Sequence, residues 1–161
     1  MKPLFFTLLI LMGAGLMANE VKFEQMVYIK TTKAKLWNAL TQPETINKYY
    51  MCPILKMGSK KGEIISYGVE GQTFIEGEIL EFKKQEKLTH SFRFAGKPKA
   101  KGDQGTMVTY EIVEQQGLLI LILTHSGFRA KNQTYKDITG GWPYILSNLK
   151  TLLETGKTLR K

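Results

Sequence analysis

Cysteine and histidine are nearly missing from this chain: of 161 residues, only Cys52, His90 and His125 carry a thiol or an imidazole, the groups whose ordinary pKa lies nearest neutral pH. One thiol cannot close an intramolecular disulfide, so stability must come from a packed core. Two distant histidines and one cysteine make no metal-ligand spacing, and neither a metal nor a cofactor is expected. No motif sets either histidine beside a partner, so no catalytic residue is assigned. Cys52 lies between Met51 and Pro53 with no basic neighbour, which reads as an inert buried thiol. Acidic residues are also scarce, 14 against 23 basic ones, for a net charge of +9. The lysines fall in small groups such as Lys60-Lys61 and Lys83-Lys84. Such a surface is drawn to anions. No aromatic-rich nucleic-acid motif accompanies it, so it reads as a solvated face with no nucleic-acid partner.

The one long apolar run is at the start. Met1-Lys2 precedes Leu4-Phe5-Phe6-Thr7-Leu8-Leu9-Ile10-Leu11-Met12, and Gly13, Ala14, Gly15 and Ala18 follow. A positive start, a short apolar stretch and small residues describe a secretory signal peptide. The run is short for a membrane span, which needs about 20 residues. Residues 1–18 are thus expected to be removed, after Ala18 or Gly15, leaving a domain at 19–161 that is secreted or periplasmic. No cysteine marks the boundary, so lipid modification is not expected, and neither is a stable membrane span after cleavage. Removal takes away only Lys2 and lowers the charge from +9 to +8. Asn132-Gln133-Thr134 is a glycosylation triplet, relevant only in a host that glycosylates exported proteins.

Along the remaining chain, residues 21–31 alternate as a strand, with a slip near Gln25. Thr31-Thr32 caps a short helix at 33–40, with Leu36, Trp37 and Leu40 on one face. Thr41-Gln42-Pro43-Glu44 has capping-box spacing and opens a second short helix at 43–50. The period then changes. Residues 63–69, 74–82, 88–94, 106–113 and 118–124 read as strands with short connections, which implies an antiparallel meander. Residues 118–123 are apolar on both faces and predict a central strand covered on both sides. Gly140-Gly141-Trp142-Pro143 opens a long helix that Gly156 closes. Its apolar face, with Trp142, Ile145, Leu146 and Leu149, needs a sheet to cover it. The expected class is α+β: a six-strand sheet whose first strand precedes two short helices, and a long helix laid across the sheet.

Four segments resemble one family. They are Lys35-Leu36-Trp37-Asn38-Ala39-Leu40-Thr41-Gln42-Pro43-Glu44, Gly77-Glu78-Ile79-Leu80-Glu81 before Lys87-Leu88, Leu123-Thr124-His125-Ser126-Gly127-Phe128, and Gly141-Trp142-Pro143-Tyr144 through Leu149-Lys150-Thr151-Leu152-Leu153-Glu154. In this order they resemble the activator of heat-shock protein 90 ATPase homologue-like family, within the START-like (SRPBCC) superfamily. The resemblance spans nearly the whole mature chain. It implies a helix-grip fold, in which a curved antiparallel sheet grips the C-terminal helix and leaves a cavity between them. Members of the superfamily bind lipids, sterols, hormones and polyketides, and some are cyclases or hydrolases. The chaperone activators are cytosolic; the apparent export signal departs from them, as does Tyr49-Tyr50 where many relatives carry tryptophan.

Period-two alternation puts Leu88, His90, Phe92 and Phe94 on one strand face, and Phe74 with Glu76 on one face of the neighbour. Glu81 is expected to point opposite to Glu76 and Glu78. Trp37, Tyr49 and Tyr50 would close one mouth of the cavity. Trp142, Ile145, Leu146 and Leu149 would line it from the helix. Pockets for small molecules are mainly apolar with a few orienting polar groups. The leading expectation is an exported, non-enzymatic binder of a hydrophobic small molecule, with no assigned oligomeric state. An alternative is a cyclase or hydrolase using His90, Glu76 and a tyrosine. Another is a protein-interaction module like the chaperone activators. His125 is expected to hold a structural hydrogen bond at a strand end.

Overall fold

The computed structural model describes residues 20–96 and 105–159. The expected signal peptide lies outside the described residues. The chain runs β1 (Val21–Ile29), α1 (Lys33–Thr41), α2 (Pro43–Tyr49), β2 (Ile54–Lys56), β3 (Ile64–Val69), β4 (Gln72–Lys83), β5 (Lys87–Phe94), β6 (Thr106–Gln115), β7 (Leu118–Phe128) and α3 (Gln133–Thr155). All seven strands form one antiparallel sheet in the order β1-β7-β6-β5-β4-β3-β2. The α+β helix-grip expectation is met, with one strand more than expected. That strand, β2, has three residues and pairs only with β3, too short to show an alternation.

Strand β1 alternates inward and outward without a break through Gln25. The expected slip is absent there; the irregularity falls between Val21 and Phe23, against β7. Thr32 caps α1 by accepting a bond from Lys35 N. The capping box at Thr41 does not form. Thr41 is the last residue of α1, and its hydroxyl donates to Trp37 O at 2.8 Å. Pro43 still opens α2, where a missing N–H costs nothing.

Strand β7 is flanked on both sides, by β1 and β6, but lies one place from the sheet edge, and among the described residues no second layer covers its outer face. Leu118 is 51% exposed there, and Ile120, 3% exposed, is shielded by Tyr28 and Val113 on the flanking strands. Inward, Leu119, Leu121 and Leu123 join the core under α3 with Leu146 and Leu149.

Helix α3 begins two turns earlier than the glycine pair suggested. Asn132, the first residue of the supposed glycosylation triplet, is its N-cap and accepts from Tyr135 N at 3.0 Å. Gly140, Gly141 and Pro143 lie inside the helix. Gly156 closes it in the left-handed region, at φ 74°, and its N–H reaches Leu152 O. At this end Lys150 Nζ donates to Tyr28 O at 2.7 Å, and Glu154 Oε1 accepts from Lys30 N at 2.8 Å. The C-terminal half of the helix is therefore pinned to β1.

Asn132→Ala removes a cap that a helix starting at Gly140 would not have. It is expected to lower unfolding free energy by about 1 kcal/mol. Urea denaturation of wild type and variant measures this.

Candidate ligand cavity

The N-terminal half of α3 leaves an open space over β4 and β5. Between Ile138, Gly141, Trp142 and Ile145 above and Ile75, Phe92 and Phe94 below lies a cavity of about 530 Å³. Its rim carries Tyr50, Met51 and Cys52 from the α2–β2 connection and Phe74 from β4. That volume is in the range of small-molecule sites. Two consecutive glycines cost helix stability, about 1 kcal/mol each relative to alanine. Here they withhold side chains from the cavity wall: a Cβ at Gly140 would meet nothing within 4 Å, and one at Gly141 only Met51 Sδ at 3.4 Å.

Of the residues singled out from sequence, Tyr50, Phe74, Phe92, Phe94, Trp142 and Ile145 are brought together around this space. The others are placed elsewhere. Trp37 is buried edge-on against Phe82, ring centroids 5.0 Å apart. Tyr49 is buried under α3, where its carbonyl accepts Asn148 Nδ2 at 2.8 Å. Leu146 and Leu149 sit in the solid core beyond the cavity. His90 is interior, 1% exposed, and does not line the space. Glu76 is on the wrong face for a ligand. The β4–β5 register pairs Ile75 with Phe94 and Glu76 with Arg93, so Ile75 faces inward and Glu76 bonds Arg93 on the outer face. Phe74 shares that outward parity and reaches the cavity only at its rim. A bulge between Ile79 and Glu81 then returns Glu81 to the outer face, opposite to expectation, where it pairs with Lys83 and Lys87.

Met51, Cys52, Ile75, Asp137, Ile138 and the two glycines escaped the sequence reading. The helical spacing Ile138–Trp142–Ile145 would have found Ile138, had the glycine pair not been taken as a helix start. Burial raises the Cys52 thiol pKa above its ordinary value, which leaves little thiolate at neutral pH. Asp137 Oδ1 accepts Gln133 Nε2 at 2.7 Å.

Behind the cavity, Trp142 is held by a directed chain. Its indole N–H donates to His125 Nδ1 at 3.1 Å. An indole can only donate, so Nδ1 is the unprotonated nitrogen and Nε2 carries the hydrogen. Nε2 then donates to Thr106 Oγ1 at 2.8 Å, whose hydroxyl donates to Phe92 O at 3.1 Å. Four elements, α3, β7, β6 and β5, are tied in one line. Phe92 and Phe128 crowd the ring, centroids 4.8 Å away in each case. Burial lowers the His125 pKa from 6.5 to about 3, and His90 helps by repulsion. Burial lowers the His90 pKa to about 4, partly offset by its bond to Ser91 O. Both rings are neutral at physiological pH.

This is a curved sheet gripping one long helix over an aromatic-lined space, the helix-grip class. Residues 30–154 match the family described as Activator of Hsp90 ATPase homolog 1-like protein, and the chain belongs to that family. No curated protein matches the sequence. Among solved structures it is similar to the Aha1 dimer from Colwellia psychrerythraea, with 20% identity, TM-score 0.73, and 85% of this chain and 98% of that one covered. It is similar to an HSP90 activator from Plasmodium falciparum, with 23% identity, TM-score 0.67, and coverage of 82% and 95%. It also resembles CalU16 from Micromonospora echinospora, with 21% identity, TM-score 0.64, and coverage of 81% and 73%. At these identities the likeness establishes the fold. No helix among the described residues is long and apolar enough to cross a membrane.

Two histidines with depressed pKa values make stability pH-dependent. The unfolded chain binds protons at about pH 6.5. The folded chain resists them until about 4 and 3. Their stabilising contribution is therefore complete above pH 6.5 and is lost as pH falls through that window. Thermal unfolding between pH 7.5 and 4.5 should show Tm falling with each step below 6.5. His125→Phe should flatten the slope. Separately, Trp142→Phe leaves His125 Nδ1 without its donor and should cost about 1–3 kcal/mol in urea denaturation.

Proposed function

We propose that this protein is an exported binder of a small hydrophobic molecule, held between α3 and strands β4 and β5. The observation that carries the reading is the aromatic cavity of about 530 Å³. Its wall is kept open by glycines in a helix where alanine would be more stable. The apolar start of the chain supports export. Family membership supports a binding fold. The geometry speaks against the cyclase or hydrolase alternative in its original form. Glu76 and His90 lie on opposite faces of the sheet, so they cannot share a substrate. His125 has both nitrogens committed to structural bonds.

Protein purified from its native host, extracted with organic solvent and examined by mass spectrometry, should release an apolar compound near one equivalent. Gly141→Leu tests the location. Leucine is the better helix former, so the variant should be about 0.5–1 kcal/mol more stable. Its side chain occupies the space beside Met51, and bound compound should fall at least tenfold. Unchanged loading in a stabilised variant would place the ligand elsewhere. N-terminal sequencing of the exported product checks cleavage after Ala18 or Gly15.

A further inference from the structure

His90 stands on the inner face of β5, two residues from Phe92, whose ring lines the cavity. Its orientation is built into the backbone. The β4–β5 ladder is interrupted between the Glu76–Arg93 and Ile79–His90 pairs. Gly77 sits in the gap, where a Cβ would fall 1.8 Å from Ser91 O, so only glycine allows the approach. Ser91 Oγ accepts the Glu78 N–H at 2.9 Å, the bond that an unbroken ladder gives to a carbonyl. The Ser91 carbonyl is thereby free to take His90 Nδ1 at 2.8 Å. A carbonyl only accepts, so Nδ1 carries the ring's hydrogen and Nε2 keeps its lone pair. That Nε2 is buried and has no hydrogen-bond partner. A buried acceptor left unmatched is costly and rare.

Tyr110 stacks on the His90 ring, centroids 6.3 Å apart. Tyr110 and Tyr50 each meet Trp142 edge-on at 6.1 Å, and Tyr50 stacks on Tyr67 at 4.4 Å. Of these phenols Tyr50 lines the cavity, and Tyr67 and Tyr110 do not. Burial holds all three in their neutral form, their pKa values pushed well above the ordinary one.

We infer that His90 Nε2 is the internal acceptor for the bound molecule, which is therefore an uncharged apolar compound carrying a hydroxyl, taken hydroxyl-first. The inference rests on the cavity reading above and narrows its ligand class. Because His90 does not itself line the space, the hydroxyl reaches it past Phe92, its neighbour two residues along the same strand face, which does line it. Among the described residues no lysine or arginine lines the cavity, so an anion would find no cation there, and a molecule without a donor would leave Nε2 unmatched.

Two probes of one shape separate the possibilities: 1-naphthol, which has an O–H, and 1-methoxynaphthalene, which lacks it. Calorimetric titration of the full chain should find 1-naphthol bound about tenfold tighter. In ¹⁵N NMR, the His90 Nε2 resonance should move upfield with 1-naphthol and stay put with the ether. His90→Phe should erase the preference while keeping affinity for the ether. Equal affinities in wild type, a stationary Nε2 resonance, or a preference that survives in His90→Phe would each overturn the inference while leaving the cavity reading intact. If neither probe binds, the cavity reading fails and the inference goes with it. Should His90→Phe not fold, the wild-type pair and the nitrogen shift still decide.

Discussion

The bond between the Trp142 indole and His125 decides how the long helix sits on the sheet. Apolar packing alone would let α3 slide or roll, since it is non-directional. A buried donor facing a buried acceptor at 3.1 Å does not permit that. His125 passes the constraint to Thr106, and Thr106 to the Phe92 carbonyl, so the helix is indexed against three strands at once. Buried polar chains of this kind stabilise one arrangement and penalise the rest, because any slip strands a polar atom in low dielectric. The ring must be neutral for the chain to exist, and burial keeps it so.

With that crossing point set, the two halves of α3 behave differently. Toward the C-terminus, Leu146 and Leu149 pack solidly, and Lys150 and Glu154 bond the backbone of β1 and of the residue after it. Toward the N-terminus the helix loses side chains at Gly140 and Gly141, and the strands beneath present Ile75, Phe92 and Phe94 across open space. The cavity is thus a consequence of where the packing stops. A native interior is close-packed almost everywhere. A space of this size beside a rigid polar anchor marks a place where filling has been forgone.

Much of this was legible in the residues, and the failures have physical causes. Period-two alternation found the inner face of β5, and helical spacing found Trp142. Both periods follow from local backbone geometry. Phe74 and Glu76 were assigned to the cavity face because the parity of a strand against its neighbour is set by pairing, which one strand does not reveal. Glu81 was misassigned by one bulge residue for the same reason. The start of α3 was missed because Gly-Gly-Trp-Pro reads as a breaker. In the folded chain, Asn132 caps the preceding turns and Ile138 packs into the core, and tertiary burial outweighs the local penalty. Met51 and Cys52 lie in a connection with no period at all.

The two histidines show why residue type alone does not identify a site. Both are buried, neutral and on the inner face, and their strands pair each of them with Val108 between. His125 has both nitrogens satisfied by protein groups, and its chemistry is spent on holding the helix. His90 has only one satisfied, and the bond that satisfies it depends on a glycine, a serine hydroxyl and a gap in the sheet. A proton-transfer role would need a ring that titrates near neutral pH, and burial has moved this one to about 4. What remains available to it at neutral pH is the lone pair of a buried, unpartnered nitrogen. That is a property suited to recognition, not to acid–base chemistry.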